Sequence, residues 1–139
     1  MKKLAFTFMF LVLLLTACQT NAPNVITVEE VLTSFEEQQL SLKKIKVNED
    51  HIFGMKLNGI RPSGYELDGK KVLVYIYDSS DEREKGLEDW REKTASMDIV
   101  SSFKIYEVNN VLLFYVYEEE FLNSEIDSKI QNVVNGLSR

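Results

Sequence analysis

Hydrophobic residues recur along the chain with two periods, one typical of helices and the other of strands. Helical spacing is clearest near the end, where Leu122, Ile126 and Ile130 belong to one apolar stripe. Three stretches have this spacing and predict helices. They cover 28–40, about 80–95 and 122–137. The first is preceded by Thr27 with Glu30 three residues later, a pattern typical of a capping box at a helix start.

Strand periodicity predicts two β-hairpins between these helices. Their strands cover 65–67 with 71–78, and 102–108 with 111–118. The first pair is joined by the loop 68–70, and the second by Asn109-Asn110, whose residues tolerate the positive φ of a two-residue turn. This turn sets Val108 opposite Val111. The core face of the second hairpin should therefore hold Phe103, Ile105, Leu112, Phe114 and Val116.

The order of elements predicts a single α+β domain over 27–139, with an antiparallel sheet and the helices on one of its faces. The chain also resembles itself, since Leu73 to Asp78 reads like Leu113 to Glu118. We interpret 28–78 and 81–118 as duplicated helix–hairpin units. The helices align at a shift of about 55 residues and the last strands at about 40. The first copy would then hold about 15 extra residues within 46–64. Chance likeness is the alternative, because few residue types suit amphipathic strands.

Tyrosines concentrate in the predicted strands, and their alternation predicts that all six share one face of the sheet. The candidate binding face consists of Tyr65, Tyr75, Tyr77, Lys104, Tyr106, Tyr115 and Tyr117. An open aromatic face would offer a ligand or partner a large amphipathic contact area with hydroxyl groups. Two alternatives remain. The tyrosines could serve only cross-strand pairing, or a helix, the segment 46–64 or a second subunit could cover them.

The first 18 residues have the parts of an export signal. Lys2 and Lys3 are followed by an apolar run over 4–15 and by small residues before Cys18, the only cysteine. With Leu15-Thr16-Ala17-Cys18 the chain resembles bacterial lipoproteins over residues 1–18. The resemblance implies removal of the signal peptide 1–17 and a diacylglyceryl group on Cys18. Residues 18–26 would then tether the domain to the extracytoplasmic face of the cell membrane.

Two other interpretations of this N-terminus are a plain signal peptide and an uncleaved anchor. The apolar run is shorter than the roughly 20 residues that span a bilayer comfortably. Cleavage would leave 14 Lys and Arg against 22 Asp and Glu, a net charge of about −8. That charge argues against nucleic acid as a partner and against electrostatic binding of anionic head groups. The expected partners are the membrane, through Cys18, and a protein, a peptide or a wall polymer. A homodimer formed through the tyrosines is a further alternative.

Sequence motifs of catalysis are absent: no Gly-rich phosphate loop and no G-x-S-x-G elbow occur. His51, the only histidine, lies beside Glu49 and Asp50, but a metal site needs several ligands at suitable spacing. We therefore expect no catalytic residues, no metal ligands and no cofactor. The sequence favours a membrane-anchored binding or interaction module. The alternatives are a surface hydrolase using two carboxylates and a structural dimerising envelope protein.

Overall fold

The computed structural model describes residues 24–117 and 122–138. The predictions for the signal peptide and for Cys18 lie outside these residues. In chain order the elements are α1 (Val28–Glu37), β1 (Lys43–Ile45), β2 (Ser63–Leu67), β3 (Lys70–Ile76), α2 (Ser80–Thr94), β4 (Phe103–Val108), β5 (Val111–Val116) and α3 (Ser124–Leu137). The predicted α+β class is confirmed. In this part of the chain, no helix has both the length and the apolar character needed to cross a bilayer.

The five strands form one antiparallel sheet in the order β1-β2-β3-β5-β4. The hairpin β4–β5 has the predicted register, with Val108 opposite Val111 and Phe103 opposite Val116. The two hairpins meet through β3 and β5 at the centre of the sheet. Strand β1 was not predicted; it is only three residues long and pairs with the outer edge of β2.

The turn of the first hairpin is one residue shorter than the predicted loop 68–70. Asp68 and Gly69 alone form the turn, with φ of 48° and 78°, and Leu67 pairs with Lys70. Two consecutive positive φ values are typical of a tight hairpin turn, and glycine adopts the second at no steric cost. Because side chains alternate along a strand, this one-residue difference moves Tyr65 to the opposite face from Tyr75.

The helices lie on both faces of the sheet, which corrects the prediction that they share one. Residues of α1 and α3 pack with Val72 and Val74 of β3. Leu87 and Trp90 of α2 pack on the other face, together with the segment 47–60. The predicted core face of the second hairpin, 103–116, is confirmed on this second side.

The proposed duplication is not confirmed. It equates Tyr75 with Tyr115, but β3 and β5 pair so that Tyr75 lies opposite Leu112 and Tyr115 lies opposite Val72. The two tyrosines therefore point to different faces. The helices that precede the two hairpins, α1 and α2, also pack on different faces.

The chain enters the domain through a set of hydrogen bonds that we call the entry clamp. The Asn110 side chain accepts from the Ile26 N–H (2.8 Å) and donates to the Ile26 carbonyl (2.9 Å). It also donates to the Tyr77 carbonyl (2.9 Å), while the Tyr77 N–H donates to the Asn110 carbonyl. Asn110 and Ile26 are only 2% and 3% exposed. The clamp therefore fixes the incoming chain to the end of the sheet where the two hairpins meet.

Candidate functional site

The predicted tyrosine face does not exist as one surface. The tyrosines divide between the two faces: Tyr75 and Tyr77 face α2, and the others face α1 and α3. All except Tyr117 are 5% exposed or less, and Tyr117 is partly buried. The prediction of one open aromatic platform is therefore wrong, whereas a homodimer of the chain stays a prediction. Helices and the segment 47–60 of the same chain cover these side chains.

The segment 47–60, which we call the cover segment, is hydrogen-bonded to the side chains beneath it. The Tyr75 hydroxyl donates to the Met55 carbonyl (2.8 Å), and the Tyr77 hydroxyl donates to the Leu57 carbonyl (3.4 Å). The Trp90 ring N–H donates to the carbonyl of Ile52 at 3.3 Å in the same segment. Burial raises the pKa of both tyrosines, with a smaller contribution from Tyr77 in the case of Tyr75 and from Asp89 in the case of Tyr77. The two hydroxyls thus act as neutral donors that hold the cover segment.

Two residues of the predicted binding face instead attach α3 to the sheet. The Asp127 carboxylate accepts from the Lys104 ammonium and from the Tyr106 hydroxyl, both at 2.6 Å. Burial opposes the charge on Asp127 most strongly, but these hydrogen bonds and the Lys104 charge hold its pKa below the usual value. Burial, and then Asp127 itself, raises the pKa of Tyr106. This group is a structural tie between β4 and α3.

One pair of carboxylates meets at Asn58. The Asn58 N–H donates to Asp89 (2.8 Å), and its side-chain amide donates to Glu82 (2.8 Å). Hydrogen bonds from Lys85 and Asn58 lower the pKa of Glu82. Burial acts against the charge of Asp89, but the hydrogen bond from Lys93 leads the contributions that bring its pKa below the usual value. Both carboxylates accept hydrogen bonds from Asn58, so the pair attaches the cover segment to α2.

His51 is an exposed residue at the start of the cover segment. Its Nδ1 accepts a hydrogen bond from the Phe53 N–H (3.3 Å), and the two rings lie 5.8 Å apart. Across 24–117 and 122–138, no group of three or more His, Cys, Asp or Glu residues could hold a metal ion. His51 instead lines a cavity together with Lys46 and Lys71.

Four exposed lysines lie on β1, directly after it and on β3, and we call them the lysine edge. They are Lys43, Lys44, Lys46 and Lys71. Strand pairing brings Lys43 and Lys71 to either side of Glu66. Within the described residues none of the four forms an ion pair, unlike Lys85, Lys93, Lys104 and Lys129 elsewhere. The lysine edge is therefore a concentration of uncompensated positive charge on an acidic protein.

A cavity of about 110 Å³ opens between the lysine edge and the cover segment. We call it the edge pocket. Its polar lining is Lys46, Asn48, His51 and Lys71, and its apolar lining is Ile45, Val47, Phe53 and Leu73. The pocket thus combines cationic and neutral donors with an apolar floor.

Two glycines fix the wall of the edge pocket. A Cβ at Gly64 would lie 2.5 Å from the Val47 side chain, and one at Gly54 would lie 2.8 Å from it and would overlap the Asn48 carbonyl. Val47 therefore fits between two positions where a larger residue would displace it. Two backbone hydrogen bonds stabilise the same segment. The His51 N–H donates to the Asn48 carbonyl (3.2 Å), and the Gly54 N–H donates to the His51 carbonyl (2.8 Å).

The sequence pattern does not predict the lysine edge. Lysines at 43, 44, 46 and 71 are visible as a cluster only when β1 and the first hairpin are neighbours. A three-residue strand is too short to produce a period, so nothing in the sequence pattern brings 43–46 beside 71. His51 stands out in the sequence as the only histidine, but its basic neighbours Lys46 and Lys71 come from other parts of the chain.

Comparisons with known proteins add no relationship. No protein-family model matches the chain. Searches against curated protein sequences and solved structures also gave no match. Inference about function therefore rests on the residues and on the geometry described above.

Proposed function

We propose that the protein is a lipid-anchored binding module on the extracytoplasmic face of the cell membrane, which meets an anionic partner at the lysine edge. The anchor part of the proposal rests on the lipobox ending at Cys18. The entry clamp supports it, because Ile26 is only eight residues further along the chain. Eight residues span at most about 29 Å when fully extended. The Asn110 end of the sheet would therefore stay close to the membrane.

The two ends of the sheet differ in charge. The exposed Asp78 follows β3 at the clamped end, and Glu29 and Glu30 lie in the first turn of α1 there. Lys71 lies five residues before Ile76, so it is about 17 Å away along the strand. Anionic head groups would repel the acidic end. An anchored domain would therefore stand on its tether with the Lys71 end of β3 directed away from the bilayer.

The observation that carries the binding role is the edge pocket behind unpaired lysines. Exposed lysines on an edge strand also discourage unwanted strand pairing, and Lys43 and Lys44 could serve that purpose alone. That role needs no cavity, however, whereas Lys46 and Lys71 line one. A cavity with cationic and apolar lining favours recognition of a partner with matching chemistry.

Anchoring is tested by fractionating cells that produce the full chain. The Cys18→Ala variant should move from the membrane fraction to the soluble extracytoplasmic fraction, because it lacks the residue that would carry lipid. Thr20→Ala, in the same tether, is the matched control and should stay with the membrane. If Cys18→Ala remains membrane-bound, the lipid anchor is wrong. If protease added to intact cells does not digest the wild-type protein after the outer layers are permeabilised, the extracytoplasmic location is wrong.

The binding role is tested by placing a photoreactive side chain at Lys43 in intact cells. A partner at the lysine edge should give one major adduct from position 43 and none from position 128, an exposed serine on α3. Replacing both Lys46 and Lys71 with methionine should remove that adduct. Equal adducts from the two positions, or an adduct insensitive to the double substitution, would contradict a partner at this site.

A further inference from the structure

We propose that the edge pocket binds the C-terminal carboxylate of a peptide whose last residue is small and apolar. This assignment deepens the proposed function, which supplies the extracytoplasmic source of the peptide. The chemistry of the pocket itself stands on the described residues.

The pocket presents hydrogen-bond donors and positive charge to a ligand. Lys46 and Lys71 each carry an ammonium group with three donors and no acceptor. The His51 Nδ1 already accepts from a backbone N–H, so the neutral ring carries its proton on Nε2 and can donate. Asn48 accepts from the Asp50 N–H (3.1 Å) through its oxygen, which leaves its NH₂ group to donate. Four side chains around one small cavity can therefore donate to an oxyanion.

The acids nearby do not cancel this charge. Glu49 is the acid that follows Asn48 directly, and it forms an ion pair with Arg61. Glu66 lies between Lys43 and Lys71 in the strand register, but it is within 4 Å of neither ammonium group. Asp50 is exposed and offers its backbone N–H to Asn48. The local balance stays positive although the chain is acidic overall.

The size and floor of the pocket limit the ligand further. A volume of about 110 Å³ is smaller than the roughly 150 Å³ of a closed apolar cavity that admits benzene. The space therefore suits a carboxylate with an attached methyl-sized group better than one with an aromatic ring. The buried Phe53 and Leu73 form part of the lining. Desolvating a phosphate against them would be costly, so the floor favours a carboxylate that has a small apolar neighbour.

The wall of the edge pocket is already formed in the structure without a ligand. Val47 is held between Gly54 and Gly64, and Phe53 packs on Phe103 and Phe114 at ring distances of 5.2 and 6.2 Å. A rigid floor reduces the entropy that binding must overcome. Among the polar residues that line the pocket, Lys46 and Lys71 have the long side chains that must become ordered.

The His51 ring gives a direct measurement, because it is the only histidine in the chain. The full chain, labelled with ¹³C in its histidine ring and held in phosphatidylcholine nanodiscs, is titrated with N-acetyl-alanyl-alanine. Its C-terminal amide is the neutral control, and inorganic phosphate is the second probe. We expect a saturable change in the ring signals with the acid and at least about tenfold weaker binding of the amide, since charge-assisted hydrogen bonds are lost.

Substitutions separate the pocket from the rest of the lysine edge. Lys46→Met and Lys71→Met should each weaken binding of the acid by about tenfold or more. Lys44→Met should change it less than about twofold, because strand pairing sets Lys44 opposite Tyr65 on the other face of the sheet. All three residues are exposed, so an unchanged midpoint of urea unfolding should show that each variant is folded.

Three results would overturn the proposal. They are equal binding of the acid and the amide, tighter binding of phosphate than of the acid, and an effect of Lys44→Met as large as that of Lys71→Met. These results do not depend on the location of the protein. A failed titration would leave the Cys18→Ala fractionation unaffected, and a failed anchoring test would leave the titration valid.

Discussion

The side chain of Tyr77 lies directly against Gly86, so close that a Cβ at position 86 would overlap its hydroxyl oxygen and ring. This contact sets the distance between α2 and the sheet. It also explains a glycine in the middle of α2, where alanine would favour the helix by about 1 kcal/mol.

We expect Gly86→Ala to lower the free energy of unfolding by about 1–3 kcal/mol, because overpacking outweighs the gain in helix propensity. Urea unfolding at pH 7 measures the change. Gly136→Ala in α3 is the matched control, because within the described residues its added Cβ meets no atom within 4 Å apart from its chain neighbours and the backbone of its own helix. That variant should be neutral or more stable by up to about 1 kcal/mol. Stabilisation by both substitutions would show that α2 does not pack against Tyr77 in this way.

The entry clamp should contribute strongly to stability. Asn110→Ala would leave the buried backbone groups of Ile26 and one carbonyl of Tyr77 without their side-chain partner. We expect a loss of about 2–4 kcal/mol in the free energy of unfolding, with faster amide exchange around residue 26. Asn132→Ala is the control, since its exposed amide makes one long bond to Gln38 (3.4 Å) and its loss should cost under about 0.5 kcal/mol. Equal effects from the two would argue against the clamp.

The tie at Asp127 predicts a pH dependence with a definite sign. Its pKa is lower in the folded protein than the ordinary value of 3.8. Its stabilising contribution is therefore present above about pH 4 and is lost as the pH falls through the lower, folded pKa. Asp127→Asn should lower the free energy of unfolding at pH 7 by about 1–2 kcal/mol and flatten its decline below pH 4.

Glu125→Gln is the matched control for that measurement. It removes a carboxylate from the same helix whose pair with Lys129 is exposed. Exposed ion pairs contribute at most about 1 kcal/mol to the free energy of unfolding. If Glu125→Gln flattened the acid decline as much as Asp127→Asn, the pH dependence would reflect total charge and not the tie to Lys104 and Tyr106.

The cover segment should loosen when its donors are removed. Tyr75→Phe leaves the Met55 carbonyl without its 2.8 Å donor. A loss of about 1 kcal/mol locally corresponds to roughly fivefold faster hydrogen exchange in 47–60. Tyr77→Phe should have a smaller effect because its bond is longer, at 3.4 Å. Tyr65→Phe, on the opposite face, should leave this exchange unchanged; an equal increase would indicate global destabilisation.

Local patterns predicted the elements well because their causes are local. The capping box at Thr27 and Glu30 begins α1 as expected, and Asn109-Asn110 gives the second hairpin its register. The end of α1 comes earlier than predicted, where Gln39 adopts a φ of 59°. The predicted loop 68–70 is one residue longer than the observed turn at Asp68-Gly69. Because side chains alternate along a strand, this difference put Tyr65 on the wrong face in the prediction.

The arrangement of the faces could not be predicted because it depends on pairing between distant segments. Sequence likeness suggested that Tyr75 and Tyr115 share a face, but the β3–β5 register is set by long-range packing. The edge pocket depends on the same kind of information. Its polar lining joins Lys46 and His51 to Lys71, and only the fold brings those parts of the chain together.

The entry clamp also determines how the domain would respond to mechanical force. Tension applied from the N-terminal side would reach Ile26 and pass through Asn110 to Tyr77. It would thus load the junction of the two hairpins at the centre of the sheet, where several bonds resist together. With a partner held at the lysine edge, the load would then cross the sheet from β3 through β2 to β1.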